Sequence, residues 1–353
     1  MTLDLSTQAN IHARSRLPTP GDAVLGVAPG IVMEPGNLEE VSEVLAWATR
    51  KGLKVTPCGS RTKLDRGTTP GRVDVLLDLS RLNRVMEHAS GDLTVTVQAG
   101  TGLAGLQRQL AGAGQCLAVD PPVPGTVGGL IATADTGPRR LRYGGVRDLI
   151  LGATFVRADG VIAKAGGKVV KNVAGYDLPK LLTGSLGTLA VVVEATFRLY
   201  PLPAASATVI ADIAPADLRR CVCAILQSTL VPTSLDYFAT SEGPSSLAIR
   251  FESTTASTQA QAHVAARLMG ASSRIVTGVE EQTLWQRFDT VTDTAENDVL
   301  GRLVATVSDL PGLLDKALRA TSAGTTLTVR AHAGHGHALL KWHGADSNTA
   351  GAL

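Results

Sequence analysis

The chain has 353 residues, enough for two or three folding units, and its 44% hydrophobic and 18% charged residues are those of an ordinary globular protein. A formal net charge of +2 without any basic run gives no electrostatic case for binding nucleic acid or an anionic membrane. The longest apolar runs, such as Leu189–Val193, are strand-sized, so no bilayer span is expected; the polar stretch Met1–Pro20 lacks the apolar core of a signal peptide. Cys58, Cys116, Cys221 and Cys223 suit a reducing cytoplasm as isolated thiols.

Residues 1–25 read as a loose arm broken by Pro18, Pro20 and Gly21. A helix follows: Asn37 as N-cap, Glu40 completing a capping box, Leu38, Val41, Val44, Leu45 and Ala48 at helical spacing, and Gly52 as terminator. Strands are expected at 53–56, 73–77 and 93–98, and a short helix at 103–110. Residues 120–137, crowded with Pro, Gly and Thr, read as irregular. A hairpin turning at Asp159-Gly160 joins strands 149–157 and 161–165, then a short helix at 178–182 and a long strand at 189–199. Glycine thins out after Pro203. Strands are expected there at 207–213, 234–238, 246–252 and 300–307, with helices at 215–227, 258–269, 280–290 and 309–320, and two strands close the chain. The mixed order predicts an α+β fold with a domain boundary near 203.

Three glycine-bearing stretches carry the chemistry. Pro57, Cys58, Gly59, Ser60, Arg61, Thr62 and Lys63 form a small-residue turn after a strand, whose N–H groups, hydroxyls and cations suit a phosphate. Such a turn alone is commonplace, and neither a Walker loop nor a Gly-x-Gly-x-x-Gly fingerprint is present. The second stretch runs from Asp120 through Pro121 to Thr126, Val127, Gly128 and Gly129; the third is Gly184–Leu189, containing Gly187. Three places for close backbone approach suggest a large ligand bearing several phosphates, as a dinucleotide does.

Gly128-Gly129, Ala132-Thr133, Tyr143-Gly144, Arg147-Asp148 and Leu151-Gly152, in that order with the 57–63 and 184–189 stretches, resemble FAD domains of the vanillyl-alcohol oxidase and p-cresol methylhydroxylase type. Gly137–Arg140 and Gly167–Leu178 narrow this toward the FAD-binding subunits of bacterial glycolate oxidases. The resemblance covers about residues 27–203 and implies an α+β chain: a two-subdomain FAD-binding domain of the p-cresol methylhydroxylase type at 26–203 and a smaller α+β cap domain at 204–353. It implies that residues 57–63 hold the FAD pyrophosphate, and that Pro121–Gly129 and Thr133–Gly137 line the pyrophosphate, ribityl and isoalloxazine. Gly187 and Val191 would meet the adenosine end, with Lys171, Asn172, Tyr176 and Asp177 near the flavin; Tyr176 and Asp177 read equally as a local cap of the next helix. Relatives that bond the flavin covalently use a histidine; 57–63 has none, so FAD is expected to be non-covalent.

The resemblance further implies a complex that oxidises glycolate or a related 2-hydroxy acid, with a larger homologous flavoprotein subunit and an iron–sulfur subunit, in the cytoplasm or peripheral on the inner face of the membrane. His332, His335 and His337 fall where 2-hydroxy acid oxidising relatives read His-x-Gly-Asp-Gly-Asn-x-His; with His335 for the Asp, His337 for the Asn and Leu339 for the last His, a lost substrate and metal site is implied. On one continuous strand His335 and His337 would share a face and His332 would oppose them. No catalytic residue and no metal ligand is assigned. A self-sufficient alcohol or 2-hydroxy acid oxidase and a flavin-free scaffold are the alternatives.

Overall fold

The computed structural model describes residues 11–169, 175–295, 297–320 and 325–344. The chain forms two compact units: one runs to Thr136 and resumes from Gly144 to Leu202, and the other takes Gly137–Tyr143 together with the chain from Pro203 onward.

The first unit opens with β1 (Arg14–Arg16), which pairs antiparallel with β2 (Ile31–Glu34). The segment expected to be a loose arm is therefore held from residue 14: Asp22 is buried and accepts from the Arg16 guanidinium at 2.7 and 2.8 Å and from the Thr19 N–H at 2.7 Å. Helix α1 (Leu38–Lys51) forms where its signals predict. Asn37 accepts from the Glu40 N–H at 2.8 Å, Glu40 reaches back to the Gly36 N–H, and Gly52 ends the helix at φ 63°. Its apolar stripe, with Val41, Val44 and Trp47, is buried.

Strand β3 (Val55–Cys58) pairs parallel with β4 (Val75–Asp78), which pairs parallel with β2, giving a four-stranded sheet in the order β1-β2-β4-β3. All four residues of β4 are buried, as expected of a central parallel strand. Strands β5 (Val85–Ala89) and β6 (Thr94–Gln98) precede α2 (Leu103–Ala111) and the short β7 (Gln115–Cys116). Helix α3 (Val127–Thr133) lies inside the stretch read as irregular. Gly128-Gly129 conceal it, since two glycines lower helix propensity by about 1 kcal/mol each. Specific bonds hold it: Thr126 caps the Gly129 N–H at 3.3 Å, and the Val127 and Gly128 N–H groups donate to the Thr101 and Ala99 carbonyls.

After α4 (Arg140–Tyr143), which belongs to the second unit, come α5 (Val146–Leu149), β8 (Ile150–Val156), β9 (Ile162–Gly166), α6 (Leu178–Leu182), β10 (Val191–Arg198) and β11 (Tyr200–Pro201). An antiparallel sheet, β5-β6-β10-β8-β9, puts β10 at its centre, while β11 and β7 form a two-stranded ribbon. Asp177 caps α6 by accepting from the Lys180 N–H, as its local reading expects, and Tyr176 is 91% exposed. Lys171 and Asn172 lie outside the described residues.

The second unit is a seven-stranded antiparallel sheet of β12 (Ala205–Asp212), β13 (Ser234–Thr240), β14 (Ser246–Ser253), β15 (Ser273–Val276), β16 (Asp298–Val304), β17 (Thr326–His332) and β18 (His337–His343), in the order β15-β12-β14-β13-β17-β18-β16. Residues of α7 (Leu218–Leu226), α8 (Thr255–Met269) and α10 (Leu310–Arg319) join Tyr237, Phe251 and Leu327 in its main core. Helix α9 (Gly278–Asp289) contributes Trp285 and Phe288 to a separate cluster with Phe238 and Ala248. The histidine segment is not one strand: residues 333–336 turn, and His332 and His337 pair across the hairpin.

This sheet carries buried charge. Asp236 is wholly buried between Arg330 (Nε to Oδ2, 3.0 Å) and His332 (Nδ1 to Oδ1, 2.9 Å). Burial raises its pKa, but the charges and hydrogen bonds of His332 and Arg330 outweigh burial and lower it. Asp236→Ala would leave Arg330, only 2% exposed, without its buried partner, an expected loss of about 3–5 kcal/mol in urea denaturation.

Candidate functional site

In the first unit, a cleft opens at the carboxyl end of β3. Two adjoining hollows share Pro57, Cys58, Gly59, Thr126, Gly129, Ala132 and Leu186, which makes them one continuous cleft. One end is mostly apolar, with Leu182, Ala190 and Val191; the other is polar, with Ser60, Arg61, Thr62, Lys63, Arg66 and Thr133.

Three chain segments meet here through their backbones. The Gly184 and Leu186 N–H groups donate to the Ile131 and Ala132 carbonyls, stapling residues 184–188 to the end of α3. Gly187 adopts φ +75°, and a Cβ there would lie 2.6 Å from Pro57 Cγ. A Cβ on Gly59 would lie 2.3 Å from Thr126 Oγ1, the atom that caps α3. These glycines therefore draw the protein segments onto one another at the wall of the cleft.

The structure brings Pro57–Lys63, Thr126, Gly128, Gly129, Thr133, Gly187 and Val191 to this cleft. Val127 points into the core and is fully buried. Pro121 is buried in the irregular approach to α3 and does not line the cleft, and Gly137 belongs to the second unit. The sequence reading missed Ala132, Leu182 and Arg66. It also missed the carboxylates that organise the polar end, because no local pattern links them to the turn they serve.

The start of α3 offers little to an anion, since its first N–H groups already donate to Thr101, Ala99 and Thr126. The turn after β3 differs: among the described residues, the N–H groups of Ser60, Arg61 and Thr62 donate to no protein acceptor. Ser60 Oγ and Thr62 Oγ1 sit 3.3 Å apart beside them. Uncommitted N–H groups with flanking hydroxyls are the donor set a pyrophosphate requires, so this cleft fits a dinucleotide.

The cations around it are balanced by carboxylates. Arg61 is held by Asp22 and Asp78, and buried Asp135 accepts from Lys63 and Arg66, each at 3.0 Å. Burial raises the Asp135 pKa, but the Arg66 hydrogen bond and the Lys63 charge prevail, and it falls to about 2. On the cleft wall, burial and then the Asp78 charge push the Cys58 thiol up to about 12.

Two measurements check this description. Gly59→Ala should destabilise the chain by about 1–3 kcal/mol, with part recovered by adding Thr126→Ala, because the clash is with that side chain. Asp135 has its folded pKa below the unfolded value of about 3.9. Its ion-pair stabilisation is thus complete above about pH 4 and lost as pH falls through about 2. Asp135→Asn should remove that portion of the pH dependence of the melting temperature.

Residues 29–166 match the family model described as an FAD binding domain. The chain is 34% identical over 212 residues to glycolate oxidase subunit GlcD of Bacillus subtilis (strain 168), covering 59% of this chain and 45% of that protein. It is 37% identical over 213 residues to D-lactate dehydrogenase of Archaeoglobus fulgidus, covering 59% and 47%. The chain thus spans less than half the length of these relatives. A solved alkyldihydroxyacetonephosphate synthase superposes with a TM-score of 0.73 at 17% identity, over 92% of this chain and 71% of that one, a likeness of fold. With the uncommitted N–H groups of residues 60–62 inside the matched span, the first unit of this chain carries an FAD binding domain over residues 29–166.

Proposed function

We propose that this chain is the FAD-binding subunit of an oxidoreductase that converts a 2-hydroxy acid, glycolate first, to the 2-oxo acid, together with a larger homologous flavoprotein subunit and an iron–sulfur subunit. The observation that carries it is the cleft at the end of β3, whose uncommitted N–H groups at Ser60, Arg61 and Thr62 lie within the matched FAD-binding domain. When bound, FAD accepts two electrons as a hydride or its equivalent.

The chain's own residues supply binding. The Ser60–Thr62 turn takes the pyrophosphate, Gly187 and Val191 take the adenosine end, and the apolar wall of Leu182 and Ala190 excludes water. Attachment is non-covalent: with its pKa near 12, the Cys58 thiol stays protonated at neutral pH and is a poor nucleophile. A partner is supported by the Bacillus relative, named as a subunit. Cys58, Cys116 and Cys221 are buried and Cys223 is exposed, which offers no four-thiolate cage for an iron–sulfur cluster. No helix of the described residues is long and apolar enough to cross a membrane, consistent with a cytoplasmic protein or one carried to the membrane by its complex.

The purified chain should show flavin absorption that acid precipitation releases into the supernatant. That absorption should persist when glycolate is added anaerobically to the chain alone and bleach when the partner subunits are present. Bleaching by the chain alone would instead establish a self-sufficient oxidase. A colourless chain that cannot be reconstituted with FAD would leave only a scaffold.

A further inference from the structure

Arg61 lies in the turn that offers its N–H groups to the pyrophosphate, and an arginine there reads at first as a phosphate ligand. Its surroundings say otherwise. The Nε donates to Asp22 Oδ1 at 2.9 Å, one Nη donates to Asp78 Oδ2 at 2.6 Å, and the other reaches the Gly59 carbonyl at 3.4 Å. All three guanidinium nitrogens are thus engaged within the protein. Asp22 and Asp78 are both buried, and each is tied further: Asp22 by Arg16 and Thr19, and Asp78 by the Ser80 N–H at 2.9 Å. The backbone of Arg61 is left-handed, at φ +61°, a conformation that costs a non-glycine residue energy and persists only where the surroundings impose it.

We propose that Arg61 is a positioning residue and no anion ligand: its clamp between Asp22 and Asp78 fixes the left-handed turn that presents the N–H groups of residues 60–62 to the FAD pyrophosphate. This rests on the FAD reading of the cleft. It also gives the 14–22 segment a role in the site, since Asp22 reaches the turn from 39 residues away.

The two readings of Arg61 predict opposite signs. Were Arg61 a direct ligand, Asp22 would compete with the pyrophosphate for it, and Asp22→Asn would tighten FAD binding by removing a negative charge beside an anion. As a clamp, Asp22→Asn loosens the turn and weakens binding. Arg61→Lys separates them again: it keeps the charge, but its single nitrogen cannot reproduce the fork that reaches Asp22, Asp78 and the Gly59 carbonyl from three separate nitrogens.

The test measures the FAD dissociation constant by flavin fluorescence for the wild-type chain, Asp22→Asn, Asp78→Asn and Arg61→Lys, with thermal unfolding confirming that each is folded. Each variant is expected to bind about tenfold more weakly or worse, consistent with losing a charged hydrogen bond. The losses of Asp22→Asn and Arg61→Lys should be non-additive when combined. If Asp22→Asn fails to fold, Asp78→Asn and Arg61→Lys decide. Tighter binding by either Asn variant, or wild-type affinity in Arg61→Lys, would overturn the clamp while leaving the FAD reading standing. A wild-type chain that binds no FAD would overturn both.

Discussion

The approach of Gly59 to Thr126 is the contact on which the cleft depends. It joins the end of a parallel strand to the N-cap of a short helix, and it leaves no room for even one methyl group. Thr126 meanwhile caps α3, and the other end of α3 accepts two N–H groups from the 184–188 segment. Three stretches far apart in sequence are thereby locked into one wall by hydrogen bonds and close packing. A site built in this way is preorganised, so less of the binding energy of a ligand is spent on ordering the protein.

Electrostatics in the cleft follow from the same economy. An anion site could be made by gathering free cations, but free cations repel one another and lose their hydration when buried. Here Arg61 is held by Asp22 and Asp78, while Asp135 draws in Lys63 and Arg66. The charged side chains thus brace the loop, and the N–H groups of residues 60–62 are left without a protein acceptor. Fixed dipoles need little reorganisation when an anion arrives, and they do not vary with pH near neutrality.

What could be read from sequence divides along the same line. Helix α1 was legible because its cap, its stripe and its terminating glycine lie within sixteen residues of one another. The glycine stretches were legible as places of close approach, though not as contacts between protein segments. Helix α3 was hidden, because tertiary bonds to Ala99 and Thr101 override the poor propensity of Gly128-Gly129. Asp22 was hidden for a stronger reason: its partners Arg16, Arg61 and Thr19 create its role, and no periodicity connects it to Arg61. Pro121 and Gly137 were assigned from their place in a motif, and the fold sends one toward a buried loop and the other into the second unit.

The histidine hairpin of the second unit is held by contacts among its own polar groups. His332 is committed to Asp236, and His335 and His337 face each other with Nδ1 atoms 3.1 Å apart. Two protonated imidazoles at that distance would repel. Burial, reinforced by its histidine neighbours, lowers the His335 pKa to about 3, and burial lowers that of His337 as well. Both rings are then neutral at physiological pH, and the Nδ1 contact is a hydrogen bond between one donor tautomer and one acceptor. The negative charge of Asp236 is met by Arg330 and His332, while the buried His335 Nε2 has no hydrogen-bond partner among the described residues. The hairpin is accordingly a packed turn whose imidazoles are held by Asp236 and by one another.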